Sequence, residues 1–158
     1  MGARTEHRSD DKTVATNRKA RHDFAIIETI ECGIQLTGTE VKSLRLGQAS
    51  LVDCYARIRD GELWIEGLHI PPYEQGDRRT HEPMRPRKLL VHRRQLDALG
   101  RETSEKGLAL VPLRLYFTHG VAKVELVVAR GKRQHEKRQA IAKRDAQREA
   151  EREMGRRR

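Results

Sequence analysis

A closed, OB-like antiparallel β-barrel of about six strands, with two or three short helices and a basic C-terminal tail, is the architecture this sequence predicts. Three observations lead there. Short segments of alternating apolar and polar residues recur between turn signals from Phe24 to Arg130. Asp60-Gly61 and His119-Gly120 each separate two such segments by the two residues of a tight hairpin. The composition then changes abruptly at Gly131, beyond which 11 Lys and Arg stand against 5 Asp and Glu. A sandwich calls for seven or more strands, so closure of about six into a barrel fits better.

A chain of 158 residues makes one domain with length to spare for tails, here divided as a leader (1–16), a barrel (17–130) and a tail (131–158). Lys and Arg number 33 against 23 acids, a net charge of +10 and a pI near 10.1, which favours a polyanion as partner, nucleic acid first. No apolar run approaches the roughly 20 residues of a spanning helix and the N-terminus has no apolar signal core, so the chain reads as cytoplasmic with no membrane partner. Cys32 and Cys54 are isolated within apolar strand patterns and read as small core residues, not as a disulfide or a metal knuckle.

Taken in order, residues 1–16 are polar and aperiodic and predict a disordered leader. Asn17 to His22, NRKARH, is a basic run leading into the first strand; Arg18, Lys19 and Arg21 either solubilise a flank or contact RNA. From Phe24 the pattern alternates, with Phe24, Ile26, Ile30 and Cys32 on one face and Ala25, Ile27, Thr29 and Glu31 on the other, and Gly33 is expected to bend the chain into a second strand at 34–37. Glu31, beside that turn, can hold a neighbouring arginine or accept hydrogen bonds from a base or ribose.

GTEVKSLRLG, Gly38 to Gly47, predicts a short helix with Thr39 as N-cap, Glu40 against the positive N-terminus, Lys42 and Arg45 toward the negative end, and Gly47 in the left-handed conformation that stops it. Two turns do not hold themselves together in water, so Val41 and Leu44 must dock on a sheet, leaving Glu40, Lys42, Ser43 and Arg45 at the rim. Strands are expected over 51–59 and 62–70, with Val52, Cys54, Ala56 and Ile58 inward and Pro71-Pro72 ending the second. The following loop carries seven basic residues between Arg78 and Arg94, Arg87 and Lys88 among them, against the single acid Glu82, a balance that favours phosphate contact. Leu89 to Val91 form an apolar knot, Arg93 to Leu99 have helical spacing up to Gly100, and Pro112 places an edge or bulge in the last hairpin.

The tail offers only Ile141, Met154 and scattered alanines as apolar surface, yet its composition has high helix propensity; it is expected to be disordered alone and helical on a partner. Enzyme chemistry finds little support, since the seven histidines are scattered and no metal-ligand spacing, phosphate loop or nucleophile elbow is present; no cofactor is implied. The six aromatics lie mostly within apolar strand patterns, which leaves few platforms for unpaired bases and favours a structured RNA, met by Arg, Lys and hydrogen-bonding side chains.

Several runs carry a resemblance. NRKARHD (Asn17 to Asp23), ETIECGIQLTGTEVKSLRLG (Glu28 to Gly47), RKLLVH (Arg87 to His92), LVPLRLYF (Leu110 to Phe117), KVEL (Lys123 to Leu126) and GKRQHEKR (Gly131 to Arg138) closely resemble the SmpB, or SsrA-binding protein, family over about residues 15–155. The resemblance implies an OB-like barrel, monomeric when free, that binds the tRNA-like domain of transfer-messenger RNA and escorts it to stalled ribosomes. It implies no enzyme. Glu31, Leu90, His92 and Lys123 match positions tied to RNA binding, and Gly131, Lys132, His135, Glu136, Lys137 and Arg138 match the tail motif acting in the small-subunit decoding centre and mRNA channel. Two residues depart from the usual pattern: Glu136 stands where Asp is usual, and Asn is a common alternative to His92. The rival reading from composition alone is a ribosomal protein or assembly factor that clamps structured RNA permanently.

Overall fold

In the computed structural model, which describes residues 12–73, 81–132 and 134–156, strands and helices alternate along the chain. They are β1 (Lys12–Thr16), α1 (Arg18–Asp23), β2 (Phe24–Ile34), α2 (Gly38–Arg45), β3 (Tyr55–Arg59), β4 (Glu62–Glu66), β5 (Arg87–Leu90), α3 (Arg93–Glu105), β6 (Ala109–Thr118), β7 (Val121–Gly131) and α4 (Gln134–Arg156). All pairings are antiparallel. Six strands return on themselves in the order β6-β3-β4-β5-β2-β7, because β7 pairs both β2 and β6. Closure on the other side of β6 is thin, a single register pair, Ala56 with Leu110. The remainder of that edge is covered by β1, which pairs residues 114–117. The expected six-stranded barrel is thus present, with a seventh strand added to its wall.

That seventh strand corrects the leader, since residues 12–16 are not part of a disordered arm. Val14 and Ala15 pack on the barrel core, and the Asn17 N–H donates to the Leu113 carbonyl at 2.7 Å. Residues 1–11 of the expected leader lie outside the described residues. The basic run after it is a helix rather than a flank. Asn17 caps α1 by accepting from the Ala20 N–H at 3.1 Å, and its amide donates to the Pro112 carbonyl at 3.2 Å. Ala20 is buried against Val111, Leu113, Val127 and Ala129, so α1 covers part of the outer face of β6 and β7.

Gly33 does not bend the chain; β2 runs through it and the separate strand expected at 34–37 is absent. Its glycine has another cause, close approach. A Cβ there would meet the Leu90 Cβ of β5 at 3.2 Å. Alternation along β2 is interrupted instead by a bulge between Ile26 and Glu28, which leaves Ile26 and Ile27 both exposed. The strands predicted over 51–59 and 62–70 are shorter because positive φ at Asp53 (58°) and Gly67 (83°) turns the chain outside the β3–β4 ladder. Val52 is consequently exposed, not inward. Both hairpins have the mirror-image turn expected, with positive φ at Asp60 and Gly61 and at His119 and Gly120. Pro112 sits beside the bulge that shifts the β6–β7 register before Arg114. Helix α3 continues past Gly100 to Glu105, because Gly100 lies in ordinary contact with Ile58 and nothing there demands a stop.

Leu44, Leu63, Ile65, Leu89, Leu115, Val124 and Leu126 fill the barrel interior. Cys32 and Cys54 are free and buried among them as expected, and burial pushes both thiols up to about 12. The tail forms the 23-residue helix α4, the conformation its composition favours. Its Ala, Glu, Gln, Lys and Arg content supplies the propensity, and its described side chains are almost all exposed.

Candidate nucleic-acid interface

Strand pairing gathers the residues that the motifs single out. Gly33 of β2 lies between Leu90 of β5 and Lys123 of β7; Lys123 lies opposite Tyr116 of β6, and Tyr116 opposite Thr13 of β1. The next row on the same wall runs Glu31, Glu125, Arg114 and Thr16. Side chains alternate along a strand, so the burial of Cys32, Val124 and Leu115 inside puts both rows outside. Glu31 is exposed and Leu90 keeps 50% of its surface, unusual for a leucine in a sheet and available to a partner. His92 lies two residues beyond Leu90 as the exposed N-cap of α3, its N–H donating to Gln95 Oε1 at 3.3 Å.

The second row is held by polar contacts. The Tyr116 hydroxyl donates to Glu31 Oε2. Arg114 stacks on the Tyr116 ring, 4.0 Å from its centroid, and its Nε donates to Glu125 Oε2 at 3.3 Å while its Nη1 donates to Thr13 at 3.3 Å. Glu31, Glu125, Arg114 and Lys123 sum to no net charge, so this patch offers directed hydrogen-bonding groups and little long-range attraction of its own. Helix α1 lies on the same wall, over the Val127 and Ala129 stretch of β7, and carries exposed Arg18, Lys19 and Arg21. Lys19 approaches Asp53 at 3.7 Å, both ends well exposed, a contact of little energy that leaves the ammonium available.

On α2, Thr37 rather than Thr39 is the N-cap; its N–H donates to Glu40 Oε1 at 2.9 Å. Lys42 and Arg45 are exposed as expected, Lys42 resting over the Tyr73 ring at 5.5 Å. The Arg45 carbonyl accepts from Lys12 Nζ at 3.1 Å, which brings the last turn of α2 to the β1 end of the patch wall. Gly47 has φ +75° and ends the helix as predicted. Glu40 and Ser43 depart from the rim expectation, since both are completely buried. Ser43 Oγ donates to the Pro71 carbonyl at 2.8 Å, and Glu40 receives Arg85 and Arg87.

Arg87 is therefore not placed for phosphate. Its side chain is 0% exposed; Nε meets Glu40 Oε2, Nη1 donates to the Leu68 carbonyl at 2.6 Å and Nη2 to the Pro83 carbonyl at 3.1 Å. The charge that made it a phosphate candidate serves a buried carboxylate 47 residues earlier. Burial alone would raise the Glu40 carboxyl, but hydrogen bonds from Arg85, the Thr37 N–H and Arg87 hold it below its ordinary value. Lys88 is half-buried on the outer face of β5 and pairs with Glu62 at 2.9 Å. Arg78 and Arg79 of the predicted basic loop lie outside the described residues.

The tail is moored at its root. The Lys132 N–H donates to the Asp23 carbonyl at 2.8 Å, Lys132 Nζ to the Arg21 carbonyl at 3.2 Å, and Lys137 Nζ stands 3.7 Å from Asp23 Oδ1. Gly131 ends β7 and Arg138 is exposed on α4; the side chains of His135 and Glu136 lie outside the described residues. Among the described residues no group of three or more His, Cys, Asp or Glu is arranged to hold a metal, and no helix is long and apolar enough to cross a membrane.

Comparison with known proteins meets this geometry. The family model described as SmpB protein matches residues 14–156. The chain is 59% identical over 142 residues to the SsrA-binding protein of Desulforudis audaxviator, covering 90% of this chain and 93% of that protein. It is 60% identical over 149 residues to the SsrA-binding protein of Acidothermus cellulolyticus, 94% of each. A solved structure described as "tmRNA-SmpB: a journey to the center of the bacterial ribosome" superposes with a TM-score of 0.63 at 49% identity, over 80% of this chain and 92% of that one. The family match runs from within the first strand to the end of α4, and this chain belongs to the SmpB family.

Proposed function

We infer that this protein binds the tRNA-like domain of transfer-messenger RNA (SsrA) and delivers it to stalled ribosomes for trans-translation. The observation that carries this reading is the assembly of Glu31, Leu90 and Lys123, from three strands, on one exposed wall flanked by the cations of α1. A carboxylate, an exposed apolar side chain and a lysine side by side suit a folded RNA, where a 2′-hydroxyl or base edge, a sugar face and a phosphate lie within one footprint. The names of the relatives and the ribosomal context of the similar structure support the same partner.

Arg18, Lys19, Arg21, Lys42 and Arg45 supply the sequence-independent phosphate contacts around that footprint, with His92 at its α3 edge and Lys88 on the adjoining strand. Residues 17–130 form the RNA-binding unit, and residues 131–158 enter the decoding centre and the empty mRNA channel. There Gly131, Lys132, His135, Glu136, Lys137 and Arg138 make the ribosomal contacts. The protein works as a binding factor in the cytoplasm, without catalysis of its own and as a monomer before it meets RNA.

Two linked measurements test the reading. Sequencing of RNA co-purified with the protein should return one small structured RNA far above ribosomal RNA; stoichiometric ribosomal RNA in its place would assign the chain to the permanent ribosome. Truncation after Lys132 should leave affinity for the tRNA-like domain within about twofold, because the two Lys132 contacts to α1 are kept and only the Lys137–Asp23 contact is lost, and should abolish peptide tagging on stalled ribosomes. Tagging at the wild-type rate by the truncated protein would remove the tail from the function.

A further inference from the structure

Glu31 stands on an exposed stretch of β2, yet its carboxylate is not left to choose its own orientation. The hydroxyl of Tyr116, a residue only 3% exposed, donates to Oε2. Behind the ring lies the Arg114 guanidinium, itself tied to Glu125 of β7 and Thr13 of β1. Contacts therefore run from the first strand of the wall, β1, to the carboxylate on its fourth, β2, and the half-buried Arg114–Glu125 pair anchors them.

We propose that Tyr116 is a positioning residue for RNA binding: it holds the Glu31 carboxylate through Oε2 and leaves Oε1 as the acceptor for one hydrogen-bond donor of the RNA, with Arg114 fixing the phenol ring from behind. The proposal rests on the reading that Glu31 touches the RNA. Its physical logic is preorganisation. A glutamate brought up to a polyanion is repelled by phosphates and, if free to rotate, would turn away at little cost; a hydrogen bond from a rigid, buried donor removes that freedom before the RNA arrives. Burial, the hydrogen bond to Glu31 and the Glu31 charge push the phenol well above its ordinary range, so the hydroxyl keeps its proton and its donor role throughout the working pH range.

A residue that acts only through the fold would weaken binding whatever stands at position 31, whereas a positioning residue loses its effect once Glu31 is gone. The experiment is a double-mutant cycle in affinity, using the transcribed tRNA-like domain of transfer-messenger RNA as probe and full-length protein held well below the melting temperature of every variant. Tyr116→Phe keeps the ring and its stacking on Arg114 and removes only the donor. It should weaken binding roughly ten- to 150-fold, the scale of one hydrogen bond to a charged group. In a Glu31→Ala background the same change should alter affinity by less than about twofold. Tyr55→Phe serves as control for the loss of a tyrosine–glutamate hydrogen bond, since the Tyr55 hydroxyl donates to Glu66 at 2.7 Å across the β3–β4 pair and not to Glu31, and its loss should leave affinity within about twofold. Equal losses from Tyr116→Phe in both backgrounds would overturn positioning in favour of a fold effect. Weakened binding by Glu31→Ala with undiminished binding by Tyr116→Phe would overturn the proposal alone. Wild-type affinity in Glu31→Ala would remove Glu31 from the interface and this proposal with it.

Discussion

Glu40 and Arg87 form a buried ion pair whose rupture should unfold this protein more readily than any exposed charge change. Glu40→Gln is nearly isosteric and leaves the Arg87 guanidinium, 0% exposed, without its counter-charge, with only neutral acceptors such as the Leu68, Pro83 and Glu82 carbonyls. Breaking a buried pair by removing one partner costs on the order of 3–5 kcal/mol, against roughly 0–1 kcal/mol for an exposed pair. For a chain of this size each kcal/mol moves the melting temperature by roughly 2–4 °C, so Glu40→Gln should melt roughly 6–20 °C early. Arg87→Met should fall toward the lower end, because Arg85 and the Thr37 N–H still serve the stranded carboxylate. Glu40→Leu combined with Arg87→Met should recover part of the loss, since an apolar pair of similar volume carries no desolvation penalty, but not all of it, because the Leu68 carbonyl is left unpaired at about 1–3 kcal/mol. Circular dichroism during thermal and guanidinium unfolding measures all three. A Glu40→Gln protein melting within about 2 °C of wild type would show that water reaches this pair, and would refute the cost assigned to stranding a buried charge.

The same pair sets an acid limit. Glu40 has a folded pKa below its unfolded one, so it contributes stability above the unfolded value, about 4.3, and that contribution is lost as pH falls through the lower folded value; melting temperature should drop below pH 4 less steeply in Glu40→Gln than in wild type. Gly67→Ala should destabilise more than Gly61→Ala: both glycines have positive φ, but a Cβ at Gly67 would meet the Asp53 carbonyl oxygen at 3.0 Å while none is crowded at Gly61, and denaturant midpoints of the two variants compare them. Binding of the tRNA-like domain should weaken with salt along a log-log slope of roughly 4 to 5 in magnitude for about five phosphate contacts, and a flat response in filter binding would exclude the cations of α1 and α2 as the source of affinity.

Much of the barrel was legible because local rules sufficed for it. Asp60-Gly61 and His119-Gly120 identify their hairpins through positive φ, Pro112 announces a bulge, and alternation from Val121 to Arg130 marks a strand whatever its neighbours. Errors fell where a residue type admits two causes. Gly33 reads as a bend by its flexibility, but its role is to let Leu90 approach, and only the β2–β5 pairing shows that. Lys12 to Thr16 look like leader because five residues carry too little pattern; the β6 edge left over by a short β3 makes them a strand.

The charged positions make the sharper case. Composition treats Arg87 and Lys88 alike, as neighbours in one basic loop, yet pleating sends them to opposite faces of β5, one to a buried carboxylate and one to the outer wall. Once the segment is a strand, pleating parts them, but which of the two faces the core depends on Glu40 being there to receive it, and a glutamate at the start of an amphipathic helix is ordinarily a surface residue. A reciprocal choice governs the site. Glu31 reads from the sequence first as a structural partner and second as a contact for RNA, and the structure gives it a donor, Tyr116, on one of its two carboxylate oxygens. On the proposal that Glu31 meets the RNA, the two readings are not alternatives: the structural hydrogen bond would hold the acid in place on a wall flanked by exposed cations.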